Sequence, residues 1–299
     1  KGPPTRLIAA IGHLLLFALA TMTEPCTLGY HKIRGLGAPC RMLLCFSGEP
    51  FYNKAYAGDL KEEWFAKDKP ALVARNSYIN LPYVIDGDTV VTQSNSVLLY
   101  LGRKLAIDKD ADFFANHQAL DQCMDLRNDL MKIVYPFSGV CKDKADFPAA
   151  LERHLKGAAG HFGKLEQGVR GPFLCGAAPQ SADFHLFEMV DQHLAMVDQT
   201  DGVDFDFAAF PKLAALHAAM KALPELATYF KSPMYTSWAF NNAMFTHFLG
   251  ARRASLLLLL PLPSRLSLLF SLCGASLALT RAPPRALTPN DGARLPAVV

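Results

Sequence analysis

The 299-residue sequence contains no pair of cysteines spaced C-x-x-C and no cysteine–histidine spacing of the kind that binds zinc. Its seven cysteines are an odd number, which does not fit a complete set of disulfides. The sequence therefore predicts neither a disulfide framework nor a metal site. It predicts free thiols in a reducing compartment, the cytoplasm.

A strong charge of either sign is also lacking. The formal net charge is +3, 19% of the residues are charged and 51% are hydrophobic. Residues 1–21 and 250–299 together hold eight of the 30 Lys and Arg but one of the 27 acids, so the middle of the chain is net acidic. This distribution argues against a basic body that binds nucleic acid. The composition is that of a globular protein with a sizeable core.

No uninterrupted apolar run reaches the roughly 20 residues that a membrane span needs. Residues 1–21 have a basic start, an apolar stretch and small residues at its end, so they are either a signal or transit peptide or translated upstream sequence. Residues 250–299 form a Leu/Pro/Arg-rich tail in which prolines and an arginine interrupt the apolar runs. A low-complexity tail is therefore favoured over a C-terminal membrane anchor.

Residues 22–105 predict a small α/β domain. Pro39 can open a helix because a first-turn residue needs no backbone donor, and Gly48 can end it. An Asp86-Gly87 turn between apolar and β-branched residues is typical of a hairpin. The predicted order is strand 27–31, helix 39–47, strand 51–56, hairpin 83–91 and helix 94–105.

After a polar linker at 106–112, the pattern becomes helical, and residues 106–249 predict an all-helical domain. The candidate helices are 113–134, 148–169, 183–197, 210–222 and 224–231. The fold class is therefore α/β plus all-α.

Three motifs in the first domain could form one site. Tyr30 lies at the end of the first strand, a position where active-site residues of α/β folds are often found. A tyrosine there can also have a packing role alone. A cis Leu81-Pro82 bond would turn the Leu81 main chain towards an extended peptide, while the alternative is an ordinary edge-strand proline. Ser94 is a natural N-cap, and the N–H groups of that helix start can bind a carboxylate or simply be capped. Together they outline a site for a short acidic peptide that carries a thiol.

These stretches resemble the cytosolic glutathione transferases, and most of all the mu class. The resemblance covers about residues 27–249 and rests on several spaced motifs in one order. They are Thr27-Leu28-Gly29-Tyr30, Ile33-Arg34-Gly35-Leu36, Asn80-Leu81-Pro82-Tyr83-Val84-Ile85-Asp86-Gly87, Thr92-Gln93-Ser94-Asn95, and Met124-Asp125-x-Arg127 with Tyr135 eight residues on.

The resemblance implies a thioredoxin-like domain followed by a helical domain that binds the electrophile and forms the dimer. It implies that Tyr30 stabilises the glutathione thiolate, since a hydrogen bond to the charged form lowers the pKa of a thiol. Gln93 and Ser94 would hold the γ-glutamyl end, and Asn80 and Leu81, with Pro82 setting the turn, would pair with the peptide backbone.

Further implied residues belong to the second domain and to the electrophile pocket. Asp125 of a partner subunit would reach the glutamyl amine, so the site presupposes a homodimer. Tyr135 could donate to a developing oxyanion, and Leu36 would line that pocket. Glutathione is then a co-substrate beside a hydrophobic electrophile, with no cofactor, in detoxification of foreign compounds.

The sequence departs from the family at the glycine end of glutathione. His31 stands where the family has a tryptophan, and it could still donate to the glycyl carboxylate or be a solvated loop histidine. Trp64 resembles the family's tryptophan at that end, and either Lys67 or Lys69 would follow it. Cys40 lies out of register for a catalytic cysteine and is interpreted as a buried helix thiol. Asp183 resembles a helix-capping aspartate with a role in folding.

The sequence leaves three functions open. The first is conjugation of glutathione to electrophiles, which the presence of Tyr30, Pro82, Gln93 and Ser94 favours. The second is a binding or structural protein of this family without turnover. The third is a sigma-like isomerase of a peroxide lipid. The residues of the Tyr30 and Pro82 motifs argue against this third function, because they resemble the mu class instead.

Overall fold

The computed structural model describes residues 24–250. The predicted leader at 1–21 and the tail beyond Gly250 lie outside the described residues. Within these residues, no helix is long and apolar enough to cross a membrane. The six cysteines from Cys26 to Cys175 are free thiols.

The first part of the chain builds a four-stranded mixed sheet with strand order β2-β1-β3-β4. Strands β1 and β2 are parallel, while β3 is antiparallel to both β1 and β4. The elements are β1 (Cys26–His31), α1 (Gly37–Ser47), β2 (Phe51–Tyr56), a π-helical segment (Lys61–Asp68), α2 (Lys69–Val73), β3 (Tyr83–Asp86), β4 (Thr89–Thr92) and α3 (Ser94–Lys104).

The second part is helical, as predicted. Its helices are α4 (Phe113–Val134), α5 (Phe147–Gly168), α6 (Ser181–Gln199), α7 (Pro211–Ala222), α8 (Ala227–Lys231) and α9 (Pro233–Thr236). Apolar residues of α1 and α3 share one core with α4 and α6, among them Leu43, Leu98, Leu126 and Phe187. The sheet domain and the helical domain are therefore joined by a continuous hydrophobic interface.

Two local predictions need correction. Ser94 is the first residue of α3 and is not its N-cap, because Gln93 precedes it with a φ of 70° and a ψ of 121°. Pro82 is not an edge-strand proline, because β3 begins after it and lies between β1 and β4. The Leu81-Pro82 peptide bond is cis.

Asp183 caps α6, as its resemblance to a capping aspartate predicts. One carboxylate oxygen accepts the Gln180 N–H at 2.8 Å and the other accepts the Leu174 N–H at 2.8 Å. The Gln180 side chain completes a capping box with the Asp183 backbone. The start of the central helix and the preceding loop are thus held by one buried side chain.

We expect Asp183→Ala to lower the free energy of unfolding by about 2–4 kcal/mol, because two buried N–H groups lose their acceptor. Urea denaturation measures this change. Asp206→Ala is the matched control, since Asp206 caps an exposed turn through the Ala208 N–H, and it is expected to cost no more than about 1 kcal/mol. Equal losses in the two variants would contradict this account of the cap.

Candidate functional site: two adjoining cavities beside Tyr30

Tyr30 lies at the end of β1, where it faces the loop that leads into α1. Its hydroxyl oxygen accepts the Leu36 N–H at 3.1 Å, and the side chain is buried. Burial raises the pKa of Tyr30, an effect that the Leu36 N–H opposes. The phenol therefore keeps its proton at neutral pH, and its O–H can donate to a ligand while its oxygen accepts from the loop.

Two glycines leave the space that the Tyr30 ring occupies. A Cβ at Gly37 would lie 2.5 Å from the ring, and a Cβ at Gly35 would lie 2.8 Å from the hydroxyl oxygen. Gly35 also has a φ of +39°, a conformation that L side chains rarely adopt. No sequence motif indicates this role for Gly37, because it depends on a close approach that only the fold creates.

The first cavity, here called the peptide cleft, has a volume of about 420 Å³. This is within the size range of small-ligand sites. It combines the predicted cis-proline turn with the start of α3. The lining residues are Leu36, Asn80, Leu81, Pro82, Gln93, Ser94, Asn95, Met124, Arg127 and Asn128.

The second cavity, here called the inner cavity, is much smaller, with a volume of about 20 Å³. Its lining residues are Tyr30, Ile33, Gly35, Leu36, Arg127, Met131, Tyr135, Met189, Gln192, Phe240 and Asn241. Leu36 and Arg127 line both cavities. Tyr30 thus stands beside the boundary between a peptide-sized cleft and a smaller cavity.

Arg127 brings a positive charge to this boundary. Its side chain is half-buried. Among residues 24–250, no carboxylate oxygen lies within 4.0 Å of the Arg127 guanidinium nitrogens, the distance at which an ion pair forms. Burial raises the pKa of both Tyr30 and Tyr135, and the Arg127 charge opposes that rise as a smaller influence. The resemblance included Arg127 in a motif without a role, and the structure places it where an anion in either cavity would meet it.

The predicted glutamyl-end residues gather in the peptide cleft, with one qualification. The Asn80 N–H donates to the Thr92 hydroxyl at 3.0 Å, and the Asn80 carbonyl accepts from the same hydroxyl at 2.8 Å, so the side chain of Asn80 is the part left for a bound peptide. Asp125 is exposed on α4 next to the cleft residue Met124. A contribution of Asp125 from a partner subunit stays a prediction.

The predicted glycine-end residues lie outside both cavities. Trp64 is 1% exposed and stacks on Tyr83 with ring centroids 5.7 Å apart, so it forms part of a core and offers no surface to a ligand in this arrangement. Lys67 is exposed and the Lys69 ammonium lies over the Phe65 ring. The His31 ring packs edge-on against Tyr30, and burial lowers the pKa of this histidine. Their contact with a glycyl carboxylate stays a prediction that the geometry does not favour.

Two buried arginines fix the loop around Tyr30, and no sequence motif indicates this role for either of them. Arg34 donates to Glu188 at 3.0 and 2.7 Å and to Asp191 at 2.7 Å, which ties the loop to α6. Arg41 donates to the carbonyls of His31 and Ile33 at 2.9 and 2.7 Å. These bonds hold the segment that presents the Leu36 N–H to Tyr30.

Tyr135 lines the inner cavity, and its role towards an electrophile stays a prediction. Its hydroxyl accepts the Asn242 N–H at 2.9 Å, so its own proton remains available to donate. Phe240, from the segment that follows α9, also lines the cavity. Cys40 is fully buried and burial raises the pKa of its thiol to about 12, which agrees with an unreactive helix thiol.

Between α5 and α6, the half-buried His154 meets the buried His193. His154 Nε2 lies 3.0 Å from His193 Nε2, and His193 Nδ1 lies 2.7 Å from the Met189 carbonyl. Because Nδ1–H donates to that carbonyl, Nε2 of His193 accepts from His154, and both rings are neutral. Burial lowers the pKa of His154 to about 4 and that of His193 to about 3.

We expect the free energy of unfolding to fall as the pH drops from about 6.5 to about 4. In this range the two histidines bind protons in the unfolded chain but stay neutral in the folded protein. The slope is up to about 1.4 kcal/mol per pH unit for each histidine. Denaturant titrations at several pH values measure it. His154→Gln should flatten the slope, whereas His117→Gln should not, since the side chain of His117 on α4 is 42% exposed. An unchanged slope in His154→Gln would contradict the assignment.

Comparison with known proteins identifies the family. The family profile described as "Glutathione S-transferase, C-terminal domain" matches residues 124–233. Glutathione S-transferase Mu 6 of Mus musculus is 33% identical over 228 residues, which cover 72% of this chain and 97% of that protein. The chain belongs to the glutathione S-transferase family. Glutathione S-transferase Mu 1 of Oryctolagus cuniculus is 30% identical over 219 residues, or 71% of this chain and 93% of that protein.

Solved structures of glutathione S-transferases share the fold. The Pi-class enzyme of Onchocerca volvulus superposes with a TM-score of 0.58 at 23% identity, over 73% of this chain and 98% of that one. The glutathione S-transferase Blo t 8 gives a TM-score of 0.60 at 23% identity, with the same coverage. The thioredoxin-like and helical parts of this mu-like glutathione S-transferase are thereby confirmed.

Proposed function

We propose that this protein conjugates glutathione to apolar electrophiles, with the Tyr30 hydroxyl holding the sulfur as a thiolate. The observation that carries the proposal is the position of Tyr30 beside the boundary of two cavities, with its oxygen bonded to the Leu36 N–H and its proton free to donate. A thiol of ordinary pKa, about 8.5, is mostly protonated at neutral pH, and a hydrogen bond to the charged form shifts it towards the nucleophile.

In the proposed reaction, glutathione lies in the peptide cleft with its glutamyl end at Gln93 and Ser94. Its thiol proton passes to solvent water. The thiolate then attacks an electrophilic carbon, a C–S bond forms, and the leaving group departs with the electron pair of its former bond. Glutathione is consumed as a co-substrate, and no further cofactor is needed by this scheme.

We further propose a homodimer in the cytoplasm. Exposed Asp125 lies on α4 beside the cleft residues Met124 and Asn128, where a side chain from a second copy would complete the glutamyl end. Light scattering coupled to size-exclusion chromatography is expected to give twice the mass of one chain. The free thiols of residues 24–250 suit a reducing compartment.

A binding protein without turnover is the second candidate, and the small inner cavity favours it. A volume of about 20 Å³ holds little more than one water molecule. Retention on immobilised glutathione together with turnover of a chromogenic nitroaryl halide separates the two functions. Retention with turnover supports the transferase, retention without turnover supports the binding protein, and loss of both overturns the family function for this chain.

A further inference from the structure

Asp191, a buried residue of α6, is bonded to side chains from three other parts of the chain. Its Oδ2 accepts from Arg34 Nη2 at 2.7 Å, and Arg34 belongs to the loop of residues 32–36 between β1 and α1. Its Oδ1 accepts from Tyr235 Oη of α9 at 3.2 Å and lies 3.1 Å from His217 Nε2 of α7. Because an ionised carboxylate can only accept, His217 carries a proton on Nε2 and donates it to Asp191.

The charges of this cluster explain why Asp191 takes a donor beyond Arg34. The Arg34 guanidinium also donates to both oxygens of Glu188, at 3.0 and 2.7 Å, so one buried cation is shared by two buried carboxylates. A buried carboxylate is costly unless hydrogen bonds satisfy it, and the N–H of His217 supplies such a bond. His217 therefore helps to fix the carboxylate that holds Arg34.

The loop of residues 32–36, here called the Arg34 loop, carries the main-chain donor that meets Tyr30. The Arg34 N–H donates to the Ala239 carbonyl at 2.7 Å. Two residues further on, the Leu36 N–H donates to the Tyr30 hydroxyl oxygen at 3.1 Å. A shift of Arg34 would thus displace the donor that orients the Tyr30 oxygen.

The His217 ring is held in the orientation that reaches Asp191. It stacks on Phe187, with ring centroids 4.7 Å apart and an interplanar angle of 12°. The side chain is 14% exposed, so the ring lies at the border between the core and the solvent. A phenylalanine at this position would keep a stacked ring and lose the N–H donor.

We propose that His217 is a positioning residue for Tyr30 in glutathione conjugation. It acts through Asp191 and Arg34 on the Arg34 loop, and through that loop on the Tyr30 hydroxyl. The inference rests on the proposed function, in which this hydroxyl stabilises the glutathione thiolate. His217 lines neither cavity, so its effect on the reaction is indirect.

The test titrates glutathione bound to the full chain and follows the ultraviolet absorbance of the thiolate. His217→Phe is expected to raise the pKa of the bound thiol by about half a unit and to lower kcat at neutral pH by about three- to tenfold. The KM for glutathione should stay within about twofold, because the peptide cleft is unchanged. His217→Gln, which keeps an N–H donor, should restore most of the kcat and the lower thiol pKa.

His161→Phe is the matched control. His161 is 19% exposed, and its Nε2 also lies 3.1 Å from an aspartate oxygen, that of Asp129 on α4. Neither residue lines a cavity, so the thiol pKa and kcat should not change. The same thiol shift in His161→Phe, no shift in His217→Phe, or no recovery in His217→Gln would overturn the proposal.

Tyr235→Phe decides the question if His217→Phe does not fold. It keeps the ring that lies 4.6 Å from the Arg34 guanidinium carbon, and it removes a second donor to Asp191 Oδ1. The proposal predicts a raised thiol pKa in this variant, and an unchanged value would overturn it.

The unmodified protein separates this proposal from the proposed function. A bound thiol that titrates like free glutathione in the unmodified protein would reject the proposed function itself. A lowered thiol pKa that persists in His217→Phe rejects only the role of His217.

Discussion

Replacing Tyr30 with phenylalanine is expected to lower kcat at neutral pH by about 10²- to 10³-fold while glutathione binding changes only a few-fold. The substitution removes the one hydroxyl of β1 that faces the loop at Leu36, but it keeps the ring that packs against Gly35 and Gly37. Without this donor, the bound thiol returns towards its ordinary pKa of about 8.5, so less thiolate is present at pH 7.

The pH profile separates this chemical loss from a structural one. In Tyr30→Phe, activity should recover as the pH rises towards 9, because solvent hydroxide then produces the thiolate that the phenol no longer stabilises. Tyr52→Phe is the control, since Tyr52 is 41% exposed on β2 and lies in neither cavity. Loss of activity in Tyr30→Phe at every pH to the same extent would argue for damage to the fold instead.

Replacing Arg127 with glutamine is the second large effect, with an expected loss of about 10- to 100-fold in kcat/KM. Arg127 lines both cavities, and its charge partly offsets the rise that burial causes in the pKa of Tyr30 and Tyr135. During conjugation, negative charge moves from the sulfur in the peptide cleft towards the electrophile, whose reacting carbon would lie beside the inner cavity. A cation at their boundary stabilises that charge on both sides of the transfer.

Steady-state kinetics with glutathione and a nitroaryl halide measure the effect. Lys132→Gln removes a cation from the same helix, but Lys132 pairs with Asp129 on the surface and should leave kcat/KM within about twofold. Arg127→Lys should recover part of the loss because it restores the charge. Kinetics of Arg127→Gln equal to those of Lys132→Gln would contradict the role given to this arginine.

Much of the fold could be predicted from local patterns. The predicted strand at 51–56 and helix at 113–134 coincide with β2 and α4, because apolar periodicity and flanking turn residues define both. The pairing of β3 with β4 follows from the Asp86-Gly87 turn. Residues of one short segment thus carry enough information to set their own secondary structure.

The site was predictable in part, where its residues belong to recognisable segments. The motifs singled out Tyr30, Leu36, Pro82 and Gln93 as candidate site residues, and each of them lines one or both of the cavities. Trp64 was expected at the ligand, yet it lies in a core with Tyr56 and Tyr83. A tryptophan in a sequence does not indicate whether its indole faces a ligand or a neighbouring ring, since tertiary packing decides this.

Long-range pairings could not be predicted at all. Arg34 and Glu188 are separated by 154 positions, and only the docking of the sheet onto α6 brings them together. The most distinctive features of this chain therefore come from the interface between its two halves.

The central claim, that Tyr30 stabilises a thiolate, is tested most directly by titrating glutathione bound to the protein and following the ultraviolet absorbance of the thiolate. The account predicts a pKa well below the ordinary value of about 8.5 in the unmodified protein, and a return towards that value in Tyr30→Phe. A bound thiol that titrates like free glutathione in the unmodified protein would contradict it.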